Sequence, residues 1–192
     1  MERMEKKAHV KRQREVRIHA ELWHTSDFLL EAGQLRPDGA AHQFRASLIF
    51  RAFYLEAFLN WLGPKLIPHW KYLERLKPRE KLDLLADQIQ LKPDYGTRPW
   101  QIVKDVFGFR NAIAHGKPEE LEDEIYQNIG DYLSGLDFVQ AEWEKFATES
   151  NALRAQEDVG EIATLLYKAA QVKHDGPIGP FSFGFQMRKA RL

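Results

Sequence analysis

The spacing of hydrophobic residues along the chain predicts a helical protein. Apolar positions recur three or four residues apart, which is the period of an amphipathic α-helix, and no alternating strand pattern runs for more than a few residues. The helical segments cover residues 3–33, 40–62, 78–90, 98–115, 118–146 and 152–173, with a short helix or ordered connection at 65–77. We therefore predict an all-α bundle of about five to seven helices, followed by a non-helical tail at residues 175–192.

The segment at residues 40–62 is the most apolar of these helices. It leaves almost no polar face, so it should lie at the centre of the bundle or in a subunit interface. Glu56 is the only acid in it, and Asn60 follows one helical turn later. Gly63 and Pro64 come directly afterwards and predict the end of the helix.

Length and composition indicate one folded unit. The chain has 192 residues, of which 44% are hydrophobic. This suits a single helical domain over residues 1–174, with a core at about 20–150 and an aromatic and basic tail at 175–192. There is no cysteine, which excludes disulfides, thiol catalysis and cysteine metal sites. We expect no cofactor and no metal.

The N-terminus has no apolar run typical of a secretory signal, and the apolar stretch from Phe44 to Leu62 contains Arg45, Arg51 and Glu56. That stretch is too polar for a membrane span. We therefore expect a cytoplasmic protein without a membrane partner.

Basic residues are concentrated near the N-terminus, although Lys plus Arg and Asp plus Glu both number 28 in the whole chain. Zero net charge cannot recruit a nucleic acid, so any such binding needs a local patch. Lys11, Arg12 and Arg14 form one candidate patch for RNA phosphates. A solvated helix face explains the same residues.

The segment Phe107–Lys117 places polar chemistry in a small and apolar run, with Arg110, Asn111 and His115 in order. A guanidinium binds phosphate through its planar fork, and histidine titrates near neutral pH. On an ideal helix, five positions separate two side chains by about 140°. Arg110 and His115 can therefore share one site only if the helix ends between them, or if a second copy of the chain supplies the partner. We predict a left-handed helix cap at Gly116.

These residue types leave two interpretations open. A histidine that exchanges protons beside a guanidinium that stabilises phosphate charge can cleave a phosphodiester without metal. Alternatively, Arg110 pairs with an acid such as Glu56, and His115 only caps a helix. Asp83 and Asp87 lie four residues apart and suggest a metal or acid–base site, but exposed acids on amphipathic helices are far commoner.

Arg110-Asn111-Ala-Ile-Ala-His115 resembles the Arg-x(4–6)-His motif of the HEPN superfamily (higher eukaryotes and prokaryotes nucleotide-binding). The apolar helix upstream of the motif, the amphipathic helix between them and the acidic helix expected after the motif agree with that family. The resemblance covers about residues 20–150. It implies a helical bundle, commonly dimeric, in which two motifs meet across the interface.

Many members of that family resemble metal-independent ribonucleases, often toxins or anti-phage effectors that leave a 2′,3′-cyclic phosphate. The resemblance implies that His115 is the acid–base group, that Arg110 binds phosphate and that Asn111 orients them. Glu56 would hold Arg110, and we add Lys117 to the candidate RNA-binding residues. Other members only bind nucleotides or proteins, so a non-catalytic module that binds through the 40–62 helix or the tail is the alternative. A homodimer, an RNA and an antitoxin are the expected partners.

Overall fold

The computed structural model describes residues 9–124, 129–130, 139–171, 179–183 and 186–191, and it confirms the all-α prediction. The elements in chain order are β1 (His9–Arg14), α1 (Ile18–Leu35), α2 (Ala40–Leu66), α3 (Pro78–Gln88), α4 (Ile102–Ala114), α5 (Glu142–Phe146), α6 (Glu149–Ala169) and β2 (Gln186–Arg191), with a 3₁₀ turn at Trp70–Tyr72 between α2 and α3. None of the helices in these ranges has the length and apolar character that a membrane span requires.

Helix α2 lies at the centre of the bundle, as its apolar sequence predicts. It packs against α1, α3, α4 and α6. Its contact with α1 is close because two small residues face each other: the hydroxyls of Ser26 and Ser47 each donate to the other residue's carbonyl, at 2.9 and 3.0 Å. The side chains that α2 buries completely are Leu48, Ala52, Tyr54, Leu55, Phe58, Leu59 and Leu62.

The predicted stop at Gly63 and Pro64 is wrong, because α2 continues to Leu66. Pro64 has no backbone N–H, so one hydrogen bond of the helix is lost there. The loss is tolerated because α2 extends only two residues further, to Leu66. Gly63 serves packing instead: a Cβ at this position would lie 2.1 Å from the ring of the buried Trp70. The glycine therefore allows Trp70 to lie directly on the helix backbone.

Residues 9–17 do not belong to the helix that we expected over residues 3–33. Residues 9–14 form strand β1, which pairs with β2 in an antiparallel two-stranded ribbon, and only α1 is helical. The backbone is still extended at Arg17, with φ −112° and ψ 91°. Pairing with the far end of the chain overrides the local helical pattern, a tertiary effect that periodicity does not report.

The described residues agree with only part of the helix predicted over residues 118–146. Residues 129–130 and α5 (Glu142–Phe146) are helical, whereas residues 116–124 and 139–141 have no regular structure. Glu119, Glu120, Glu122, Asp123 and Glu124 would place like charges three and four positions apart on a helix, which is unfavourable. Residues 125–128 and 131–138 lie outside the described ranges.

Residues 179–183 of the predicted tail pack on the bundle. The ring of Phe181 lies 4.2 Å from Trp23 and 6.0 Å from Tyr54, and the Tyr54 hydroxyl donates to the Pro180 carbonyl at 3.4 Å. Phe183 stacks on His24 with ring centroids 4.3 Å apart. Phe181 of the aromatic tail is therefore partly buried on the bundle, Phe183 is still 46% exposed, and Phe185 lies outside the described residues.

A closed polar network lies between α1, α2 and α6. Arg51 is 1% exposed, and its Nη2 donates to the Asp27 carboxylate at 2.6 Å. Gln156 donates to the same oxygen at 2.8 Å, and the Arg51 guanidinium lies 3.8 Å from the centre of the Trp23 ring. Burial lowers the pKa of Arg51, while Asp27 opposes that shift. Arg51 itself is enclosed by the core, although Asp27 is 23% exposed, so Arg51 has no surface on which to meet a ligand.

Candidate functional site

The motif residues lie at the C-terminal end of α4. The apolar face of this helix packs into the core and fixes the position of its last turn, through Ile102, Val103, Val106, Phe107 and Phe109. Arg110 belongs to that last turn, Asn111 follows it, and His115 is the residue at which the helix ends. The sequence therefore places all three groups on one rigid end of the bundle.

Arg110 meets Glu56 across the α2–α4 contact. Its Nη2 donates to Glu56 Oε2 at 3.2 Å, and the Phe107 and Phe53 rings lie 5.5 and 6.0 Å from the guanidinium carbon. The Arg110 side chain is 21% exposed and that of Glu56 is 28% exposed. The contact that the sequence suggested between these two residues is present, and the guanidinium stays partly open to solvent.

Lys81 is the residue that sequence reasoning missed. It is 1% exposed, and its Nζ donates to the other Glu56 oxygen, Oε1, at 3.2 Å. Glu56 is thus held from two sides, by a buried lysine of α3 and by the half-buried arginine of α4. A signal was present in the sequence, because Lys81 shares the face of α3 that carries Leu82 and Leu85 and so interrupts an apolar stripe.

His115 and Asn111 face solvent. The His115 backbone N–H donates to the Asn111 carbonyl at 2.9 Å and so completes the last turn of α4. The backbone at His115 has φ −118° and ψ 16°. Gly116 does not adopt the left-handed conformation that we predicted for a helix cap, because His115 already ends the helix.

Within one chain, the structure does not bring Arg110 and His115 into contact. Arg110 points toward α2, where Glu56 receives it, whereas His115 is exposed beyond the helix end. Among the described residues, no hydrogen bond joins the two side chains. Helix α4 does end between them, at Ala114, but this end does not join the two side chains, so the second possibility, a partner supplied by another copy of the chain, stays open.

The weaker candidates for RNA binding lie in two places. Lys117 is exposed next to the motif, in the irregular segment after α4. Lys11 and Arg12 are exposed on strand β1, and Arg14 ends the same strand. These three residues were expected on the first helix, but they lie on strand β1.

The acidic pair of α3 is engaged with its neighbours. Asp83 accepts a hydrogen bond from the Tyr95 hydroxyl and lies 3.9 Å from Arg79 Nε. Across the described ranges, no group of three His, Asp or Glu side chains is arranged to hold a metal ion. Asp83 and Asp87 are two exposed acids on the outer face of α3.

Comparison with known proteins found no family model that matches the chain, and no significant match among curated proteins or solved structures.

Proposed function

We propose that this protein is a dimeric, metal-independent endoribonuclease of the HEPN type, with Arg110 and His115 as its catalytic residues. The observation that supports it most is the ion pair between Arg110 and Glu56, 3.2 Å long, near the C-terminal end of α4, where Asn111 and His115 are exposed. A guanidinium that is oriented in advance and partly open to solvent suits the binding of a phosphate.

The reaction is an attack by the ribose 2′-oxygen on the adjacent phosphorus. A bond forms between these two atoms, the bond from phosphorus to the 5′-oxygen breaks, and the products are a 2′,3′-cyclic phosphate and a 5′-hydroxyl. One group must take the proton of the 2′-hydroxyl and another must give a proton to the leaving 5′-oxygen. Arg110 stabilises the negative charge that grows on the phosphate oxygens.

Two copies of the chain would supply what one copy lacks. The step needs a base and an acid together, whereas each chain offers one histidine at the end of α4. A two-fold axis beside that helix end would set two His115 side chains and two Arg110 side chains around one phosphate. In that arrangement, a neutral His115 of one copy acts as the base and a protonated His115 of the other copy acts as the acid.

The test is incubation of the purified protein with total tRNA and a structured RNA in the presence of EDTA. Wild type is compared with Arg110→Ala, His115→Ala and a control, His42→Ala, which removes an exposed histidine at the start of α2. We expect cleavage by wild type and His42→Ala, a 2′,3′-cyclic phosphate end, and loss of activity by at least about 100-fold in the other two.

A dimeric wild-type protein that leaves every RNA intact would contradict the proposal and favour the non-catalytic module that binds a protein or a nucleotide. The composite site has its own test, in which His115→Ala is added in excess to wild type and the subunits exchange. If one site needs His115 from both chains, only dimers of two wild-type chains are active. Activity should then fall more steeply than the fraction of wild-type chains in the mixture. Activity that only follows that dilution would contradict the shared site.

A further inference from the structure

The ribbon of β1 and β2 joins two basic segments that lie at opposite ends of the sequence. Each strand contains three Lys or Arg residues, and neither contains Asp or Glu. Lys11 and Arg12 are exposed, and no carboxylate in the described part of the chain pairs with either. Considered alone, the first strand is an ordinary basic segment. The pairing makes it one half of a larger basic surface.

The register of the ribbon sets like charges opposite each other. Lys11 pairs with Lys189, and Arg12 pairs with Arg188. Like charges in directly opposite positions destabilise a strand pair. Basic residues in opposite register positions lower the stability of a ribbon in isolation, and binding of an anionic ligand would reduce that repulsion.

The ribbon is anchored to the bundle at its base. Arg17, which is buried just after β1, donates to Ser182 Oγ at 3.2 Å, shortly before β2. His24 Nε2 lies 3.1 Å from the Phe181 carbonyl oxygen, and the Phe181 ring packs on Trp23. Residues just after β1 and residues shortly before β2 are therefore held together beside α1.

The acid that follows β1 in sequence does not neutralise the ribbon. Glu15 binds Arg17 through both carboxylate oxygens, at 3.0 and 3.1 Å, and these hydrogen bonds lower the pKa of Glu15. Its charge is committed to the buried Arg17. The net charge of the whole chain is zero, so the basic character of the ribbon is local.

We propose that the β1–β2 ribbon is a binding site for the phosphate backbone of RNA, formed jointly by the two ends of the chain. Lys and Arg contacts to phosphates supply affinity without reading sequence and make it salt-dependent. The choice of RNA as the polyanion rests on the proposed function, but binding by the ribbon does not require cleavage. The ribbon adds Arg188, Lys189 and Arg191 to the candidate RNA-binding residues of the first strand.

The experiment measures binding of a fluorescent, 2′-O-methylated RNA by anisotropy over a range of salt concentrations. This RNA has no free 2′-hydroxyl, so cleavage cannot disturb the measurement. Two double variants remove charge from the ribbon: Lys11→Gln with Arg12→Gln, and Arg188→Gln with Lys189→Gln. The matched control, Arg75→Gln with Lys92→Gln, removes the same charge from exposed sites outside the ribbon.

We expect each ribbon variant to bind RNA about tenfold more weakly at about 0.1 M salt. The slope of log Kd against log salt concentration should fall by about one to two. The control should bind like wild type. Because the substitutions relieve repulsion, the ribbon variants should melt at or above the wild-type temperature, which shows that the loss of binding is not a loss of folding.

Equal losses in the ribbon variants and the control would overturn the proposal, since only overall charge would then matter. Unchanged RNA binding in the ribbon variants would overturn it too. The same applies if the ribbon variants lose binding to vesicles of anionic phospholipid while RNA binding is unaffected. Ribbon-dependent binding by a wild-type protein that cleaves no RNA would support the ribbon and contradict the nuclease, so the two proposals fail separately.

Discussion

Two arginines of this protein meet carboxylates in opposite ways. Arg51 of α2 is 1% exposed and lies 2.6 Å from Asp27, under a tryptophan ring. Arg110 of α4 is 21% exposed and shares Glu56 with Lys81 at longer distances. The first pair connects α1 and α2, and Gln156 adds α6 to the same network. The second pair orients a cation and leaves part of it in contact with solvent, which is the arrangement that a binding group needs.

The largest expected effect concerns the closed pair. Arg51→Ala removes a buried cation, its contact with the Trp23 ring and the neutralising partner of Asp27. Because Asp27 is 23% exposed and keeps Gln156, we expect a loss of about 3 kcal/mol in the free energy of unfolding, near the lower end for a broken buried pair. Urea unfolding measures it. A loss below about 1 kcal/mol would show that the network is not structural.

The stability of the protein should depend on pH through a buried histidine, His19. His19 is buried beside the rings of Trp61, Phe58 and Tyr54, and burial, together with the charge of Arg17, lowers its pKa to about 4 from 6.5. The unfolded chain binds this proton more tightly than the folded protein does. Stability is therefore fully present above the unfolded pKa and falls as the pH drops from about 6.5 toward 4.

We expect His19 to account for a loss of about 2 kcal/mol between pH 7 and pH 5. The measurement is the difference in unfolding free energy between wild type and His19→Leu at the two pH values, with His42→Leu as the exposed control. The same pH dependence in wild type and His19→Leu would contradict the assignment.

Around Glu56 we expect two cations that can replace each other. Lys81→Met keeps the packing of the lysine stem, and Arg110→Ala leaves Lys81 in place, so each single change leaves Glu56 neutralised. Both together leave the carboxylate unpaired. A double-mutant cycle should therefore give a coupling of about 1 kcal/mol, with the double variant less stable than the sum of its parts. Strict additivity would show that the two contacts are independent.

The smallest expected effect on stability is that of Arg110→Ala alone. The side chain is partly exposed, and Lys81 still binds Glu56, so the change should cost about 0.5 kcal/mol or a little more. The same variant should lose RNA cleavage. This combination of small stability loss and large activity loss distinguishes Arg110 from Arg51. A destabilisation as large as that of Arg51→Ala would show that Arg110 is structural.

The sequence predicted the parts of the fold that depend on local periodicity. The apolar run at 40–62 became the central helix, and Pro78 opens α3 as expected. The helix end predicted at Gly63 and Pro64 was wrong. Local sequence rules take such a glycine as the end of a helix, whereas here it leaves room for the Trp70 ring. The role of this glycine depends on its contact with Trp70, and the periodicity of the sequence does not predict that contact.

The sequence predicted which residues form the candidate site, but not the buried lysine that holds Glu56. Arg110, His115 and Glu56 were found from residue type and position, and the Arg110–Glu56 contact is present. Lys81 was missed because its partner Glu56 lies 25 residues earlier in the chain, and local periodicity does not bring the two together. The ribbon was missed for a related reason, since strand pairing between the two ends of a chain leaves no short-range pattern in either segment.

The pairing of β1 with β2 also orders events during synthesis. A chain is made from its N-terminus at about 5–20 residues per second, and folded units form as they emerge. Helices α1 to α6 can pack while β1 still has no partner, because β2 lies behind them all in sequence. The surface that we assign to RNA is therefore completed last, and a nascent chain on the ribosome, surrounded by RNA, carries only half of it.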